Sequence, residues 1–174
     1  MTNKKIKKFI NILFIIFVII GCSKILFEKY FTINLSTSIP AGIYLKLPLD
    51  DIKKGDIVIF DMPEDIDKFV HEREYIVKKC HSFIKIVGGI EGDRIEKKDN
   101  FLYINNKKIG KISLTDTIGR RLPQIENFKV SKNKFFPIGS HINSFDGRYY
   151  GEVEKNLIRN KAKLILEFSI IYKK

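Results

Sequence analysis

The chain has 174 residues, 44% of them hydrophobic and 30% charged, which excludes both a disordered chain and a polytopic membrane protein and suits one domain, alone or with an anchor. Two cysteines and no tryptophan exclude a disulfide scaffold and a cysteine-rich zinc module. The 32 basic against 20 acidic residues leave a net charge of +12, which suits an anionic membrane surface or nucleic acid equally well.

The N-terminus decides between those partners. Residues 1–8 carry Lys4, Lys5, Lys7 and Lys8 and no acid, and Phe9 to Gly21 is apolar except for Asn11. A charged segment followed by an apolar run is the form of a signal peptide or a signal anchor. The run is 13 residues long and reaches 19 when it is extended through Ser23 and Lys24 to Phe27, with Lys24 snorkelling to the far interface. The reading is a cytoplasmic basic segment over 1–8, a membrane anchor (or signal segment) over 9–27, and an extracytoplasmic domain over 28–174. Ile19-Ile20-Gly21-Cys22 also looks like a lipoprotein cleavage box, which would make Cys22 a lipidated residue; the uncleaved anchor is the preferred reading.

Beyond the anchor the pattern is of short strands. Residues 28–37 read as a strand entering the domain, and Pro40 and Gly42 break the chain after Ser38. Strands follow over 43–45 and 57–60, separated by a turn at 50–56. Ile66, Phe69, Val70 and Ile76 predict a helical excursion within 64–77, and residues 82–87 a strand closed by Gly88-Gly89. A turn at 91–93, a strand at 94–96, a hairpin over 101–109, a long polar surface segment over 113–134 and a strand end at 135–139 come next. Last strands are expected at 157–158 and 163–172. The sum is a mainly β, antiparallel domain.

Several chemistries drop out. The lysines are dispersed, with no basic helix and no paired aromatic platform, so nucleic acid is not an expected partner. No Gly-rich phosphate loop precedes a helix. His71, His81 and His141 show no metal-ligand spacing, and neither a metal nor a cofactor is expected. Cys80 and His81 are adjacent, and adjacent strand residues point to opposite faces, which argues against a Cys–His pair.

Three islands stand out: Asn34 to Tyr44 just past the anchor, Lys85 to Asp93, and Gly139 to Gly151. A serine hydroxyl becomes a nucleophile when a base removes its proton. A lysine can be that base when desolvation lowers its pKa toward neutrality, and Lys85 is flanked by Phe83, Ile84, Ile86 and Val87. On spacing alone, Lys85 reads first as a solvent-facing lysine of an amphipathic strand and Ser38 as a turn residue.

Taken together, the islands resemble in order the serine, lysine and Gly/Asp/Arg boxes of the signal peptidase I superfamily of membrane serine proteases. The resemblance is closest to the TraF-type conjugal-transfer signal peptidases, whose first box Asn34, Ser36, Ser38, Pro40, Gly42 and Tyr44 match. Gly119 to Pro123 and Ser144 to Gly151 are similar to that subfamily as well. The lysine box departs from the pattern at Ile86, where a basic residue is usual, and at Glu91, where a proline is usual; neither position is catalytic in the family.

The resemblance implies a signal-peptidase-like β domain with one N-terminal transmembrane helix in the inner membrane, its catalytic side periplasmic or otherwise extracytoplasmic. It implies Ser38 as nucleophile, Lys85 as general base, and an oxyanion hole from the Ser38 N–H and the Ser36 hydroxyl. Ser144 would orient Lys85, and Asp146 with Arg148 would form a structural ion pair. The implied partners are the lipid bilayer and a precursor protein with a signal segment, a conjugative pilin precursor for the TraF-type enzymes. Rival readings are a general signal peptidase I, which often carries a larger second β domain for which the 45 residues between Asp93 and Gly139 leave little room, and a non-enzymatic anchored β protein of a transfer complex.

Overall fold

The computed structural model describes residues 3–168. It begins with a helix, α1 (Asn3–Tyr30), whose 11–30 segment has mean hydropathy 2.1 and no buried residue; it is long and apolar enough to cross a membrane by length and composition. The helix runs three residues past the expected boundary at Phe27 and passes directly into the first strand, so 28–30 are helical rather than extended. Phe27 and Phe31 stack across the junction, with ring centroids 5.3 Å apart.

The β domain contains β1 (Phe31–Asn34), β2 (Gly42–Leu47), β3 (Ile57–Asp61), the helix α2 (Glu64–Glu72), β4 (Ser82–Ile90), β5 (Arg94–Lys98), β6 (Phe101–Ile104), β7 (Lys107–Lys111), β8 (Phe128–Lys129), β9 (Lys134–Ile138), the short helix α3 (Gly147–Tyr150), β10 (Val153–Glu154) and β11 (Ile158–Glu167). Seven strands form one antiparallel sheet in the order β1-β2-β11-β3-β4-β9-β10, and four form a second in the order β7-β6-β5-β8. The fold class is therefore mainly antiparallel β with one N-terminal apolar helix, as the sequence pattern implies.

Alternation decides which faces are buried. Val58 and Phe60 on β3, Val87 on β4 and Phe135 on β9 share one apolar cluster, while Ile39, Tyr44, Ile59 and Ala162 share another with Ile84, Ile86 and Leu164 packed against it. The second sheet closes over Ile95, Leu102, Ile104, Ile112, Val130 and Phe136.

Four expectations change. Gly88 and Gly89 do not end β4, which continues to Ile90 through a register shift between Val87 and Gly89. A Cβ on Gly88 would lie 2.9 Å from Ile138, so this glycine lets β9 close against β4. The 113–134 segment is not simply a surface loop: Val130 is buried, and Leu122, Ile125 and Phe128 pack on the second sheet's core. The 45-residue stretch builds a small sheet of its own, so there is room for one after all. The last strands merge into one, β11, which bridges β2 and β3; the end of the expected 163–172 strand lies outside the described residues.

One edge is left open. β3 pairs with β4 along Ser82 to Ile86, but β9 joins the other side of β4 only from Ile86 onward. The 82–85 stretch of β4 therefore has no strand on that side among the described residues.

Candidate active site

A cavity of about 810 Å³ lies along that open edge, and its lining includes Ser38, Lys85, Tyr75, Phe83 and Phe145. Two segments far apart in sequence meet there. Ser38 sits in the bend between β1 and β2, and Lys85 projects from β4; the Lys85 Nζ donates to Ser38 Oγ at 2.8 Å.

The bend is held by one buried amide. Asn34 Nδ2 donates to the carbonyl oxygens of Ser36, Ile39 and Pro40, each at 3.2 Å. Its Oδ1 accepts from the Ser36 N–H at 3.1 Å and the Ser36 hydroxyl at 2.7 Å. Tyr44 Oη adds a bond to the Pro40 carbonyl at 2.6 Å. The amide thus ties the loop's own backbone together between β1 and β2. Asn34 was legible only as a member of the first box; a buried asparagine closing its own loop is the signal that gives it a function. The Ser36 hydroxyl spends its proton on Asn34 in this arrangement, and so donates to the cavity only after rotating away.

Lys85 is 2% exposed. Its ammonium also donates to Ser144 Oγ at 2.9 Å and lies 5.1 Å from the Phe83 ring centroid. Burial brings Lys85 down from its ordinary 10.5 to about 8; Asp146 opposes that shift, and Arg148 adds to it. A hydroxyl bonded to an amine that loses its proton near pH 8 has the geometry of a nucleophile and its base.

Ser144, Asp146 and Arg148 come to the same place from the loop after β9. Asp146 accepts two side-chain bonds from Arg148, from Nε at 2.9 Å and Nη2 at 2.8 Å, with both residues buried. Asp146 also accepts from the Gly139 N–H at 2.7 Å. The remaining guanidinium donors reach the carbonyl oxygens of Lys111, His141, Ile142 and Ser144. The ion pair therefore fixes the loop that carries Ser144. Gly139 has no room for a side chain: a Cβ there would collide with Ser144 Oγ and the Ser38 carbonyl oxygen.

An aromatic wall completes the cavity, and the sequence pattern gave no hint of it. Phe145 stacks on Phe69 at 5.2 Å and on Tyr149 at 5.5 Å, and Tyr75 meets Phe145 edge-on at 5.6 Å. Tyr75 donates to Asp116 Oδ2 at 2.7 Å, which also accepts from Arg120 Nε at 2.7 Å. The segment containing Gly119 to Pro123 is thereby locked against the loop after α2. His141 stays outside this chemistry, its Nδ1 accepting from the Asn143 N–H at 3.1 Å.

Residues 5–167 match the family described as signal peptidase, peptidase S26. The chain belongs to that family. It is 34% identical over 95 residues to signal peptidase I V of Bacillus subtilis (strain 168), a match covering 43% of this chain and 52% of that protein. It is 29% identical over 124 residues to signal peptidase I of Bacillus licheniformis, covering 66% of this chain and 59% of that one. The chain thus spans between half and three-fifths of the length of these curated relatives. Among solved structures, a signal peptidase I from Enterococcus faecalis V583 matches with a TM-score of 0.41 at 19% identity, over 66% of this chain and 98% of that one.

Proposed function

We propose that this S26-family protein is a membrane-anchored serine endopeptidase that removes signal segments from exported precursor proteins. The observation that carries the reading is the Lys85–Ser38 contact at 2.8 Å, made by a buried lysine with a pKa lowered to about 8, at the open edge of β4. An extended peptide adds to such an edge as a strand, its main chain satisfying the free backbone groups.

The chemistry follows from the site. Neutral Lys85 accepts the Ser38 proton as Oγ attacks the scissile carbonyl. The Ser38 N–H, with no protein acceptor among the described residues, stabilises the oxyanion; a preorganised donor contributes on the order of 3 kcal/mol. Ser36 assists if its hydroxyl leaves Asn34. The tetrahedral intermediate collapses, the amine departs with the proton from Lys85, and Lys85 then deprotonates the water that hydrolyses the acyl-enzyme. Ser144 orients the amine throughout, and Asp146 with Arg148 holds Ser144. No cofactor or metal enters these steps.

Residues 1–8 are proposed to be cytoplasmic, the apolar helix to cross the inner membrane, and the β domain to face the periplasmic or extracytoplasmic side, where Ser38 reaches substrates cut close to their own transmembrane segment. The finer proposal is a TraF-type enzyme acting on a conjugative pilin precursor, supported by the first box, by Gly119 to Pro123 and by Ser144 to Gly151. A general signal peptidase I is the second reading, favoured by the small separate sheet β5–β8 in the stretch where such enzymes carry their second β domain.

Mass spectrometry of co-expressed precursors tests these readings. Wild type is expected to yield a cleaved product and Ser38→Ala none. Cleavage by Ser38→Ala removes the mechanism. Cleavage of secretory precursors but not of pilin precursors selects the general enzyme.

A further inference from the structure

Asp67, His71 and His81 meet outside the cavity, although their spacing in sequence suggests no metal site. Asp67 and His71 lie one turn apart on α2 and share a face. His81 directly precedes β4, and its carbonyl accepts from the Met62 N–H at 3.1 Å, which holds it near the start of α2. Its Nδ1 lies 3.0 and 3.1 Å from the two Asp67 carboxylate oxygens. His71 Nδ1 lies 3.4 Å from Asp67 Oδ1, and the two imidazole centroids are 5.1 Å apart.

These separations are those of a metal's ligand shell. Nitrogen and oxygen ligands at about 2.0–2.1 Å from a tetrahedral zinc ion stand about 3.3 Å from one another. Two imidazoles and a carboxylate are a zinc-type donor set that leaves a fourth position for water. No lysine or arginine among the described residues ion-pairs with Asp67; its recorded partners are the two histidines. His71 Nδ1 also faces the Asp67 carbonyl oxygen at 2.7 Å, a contact that an ion on Nδ1 would replace, while its buried Nε2 lies outside the ligand set.

We propose that Asp67, His71 and His81 bind a divalent transition-metal ion of the zinc class, which clasps α2 to the base of β4. The ion takes the place of the proton on His71 Nδ1, and water enters the fourth position from the side where His81 is exposed. The donors come from both ends of the 67–81 segment, whose Val70 and Tyr75 line the cavity, so an ion there holds that wall in place. This last consequence rests on the proposed peptidase function; the site itself does not.

The test is calorimetric titration of the full chain in detergent with Zn²⁺, using protein without a histidine tag and stripped with a chelator. Wild type is expected to take up one equivalent. His81→Ala, at an exposed position, and Asp67→Asn are both expected to lose that binding while melting as the stripped wild type does. The proposal is overturned if wild type shows no saturable uptake, or if one-equivalent binding survives in either variant. Zinc uptake without precursor cleavage keeps this site and removes the peptidase reading, so the two fail separately.

Discussion

The Ser140 main-chain N–H donates to the carbonyl oxygen of Ser38 at 2.7 Å, with the Ser140 hydroxyl 3.3 Å from the same oxygen. The loop after β9 therefore grips the proposed nucleophile's own backbone, while four residues on its Ser144 holds the lysine. Arg148 gathers the carbonyls of His141, Ile142 and Ser144, so one buried guanidinium sets the separation between Ser38 and Lys85. A third segment thus helps to position the proposed Ser38–Lys85 pair, together with the Asn34 amide inside the serine bend.

Lys85→Met is expected to abolish processing and to stabilise the fold. The gap between about 8 and the ordinary 10.5 corresponds to roughly 3 kcal/mol of burial cost at neutral pH. Below about pH 8 the lysine is charged in both folded and unfolded chains, and the cost is present in full. Between about 8 and 10.5 the unfolded chain binds the extra proton, so wild-type stability rises with pH and the variant's advantage fades. Chemical denaturation at pH 7 and pH 10.5 checks both halves. A variant no more stable than wild type at pH 7 contradicts the burial argument.

The same titration governs rate. Only neutral Lys85 accepts a proton, so processing should climb about tenfold per pH unit below about 8 and level off above it. Single-turnover cleavage measured from pH 6 to pH 10 gives the profile. A flat rate across that range would assign the base elsewhere.

Strands were legible where a β-rich apolar run or alternation meets turn residues, as at 57–60, 94–96 and the 101–109 hairpin, whose Asn105 and Asn106 take left-handed φ of 48° and 67°. Gly88-Gly89 misled because glycine marks both strand ends and close strand approach, and only the position of Ile138 decides between them. The 113–134 segment hid its packing because its apolar residues have no period. Ser38, Lys85, Ser144, Asp146 and Arg148 were nameable through resemblance to a family, not through spacing. Burial is what distinguishes Lys85 from a surface lysine, and burial depends on strands that arrive 50 residues later in the chain. Asp67 and His71 stand at helical spacing, which the histidine spacing alone did not bring out, and His81 joins them only through the path of the loop between α2 and β4.

Asn34→Ala removes the amide's bonds across the Ser38 bend and leaves the Tyr44 Oη bond to the Pro40 carbonyl in place. Losing the amide's bonds to the Ser36, Ile39 and Pro40 carbonyls should cost about 1–3 kcal/mol. Processing should fall far more than stability, because Ile39 stays packed in its core cluster while the turn that aims Ser38 loses its amide. Cleavage kinetics and a melting curve on one preparation check this. Wild-type kcat in Asn34→Ala would show that the bend holds its shape without the amide.

Asp146→Asn tests the frame. Breaking a buried ion pair from one side leaves the other charge uncompensated and typically costs about 3–5 kcal/mol. Asparagine keeps one acceptor for Arg148 or Gly139, so about 3 kcal/mol is expected, a fall in Tm of roughly 6–12 °C for a chain of this size. Replacing both partners, Asp146→Asn with Arg148→Met, removes the stranded charge and should recover part of that loss. Processing should stay low in the double variant, because the His141, Ile142 and Ser144 carbonyls lose their anchor. Differential scanning calorimetry of the two single variants and the double variant gives the coupling between the partners. Additive losses in Tm would mean that the pair is not a unit and that the loop is held by its other bonds.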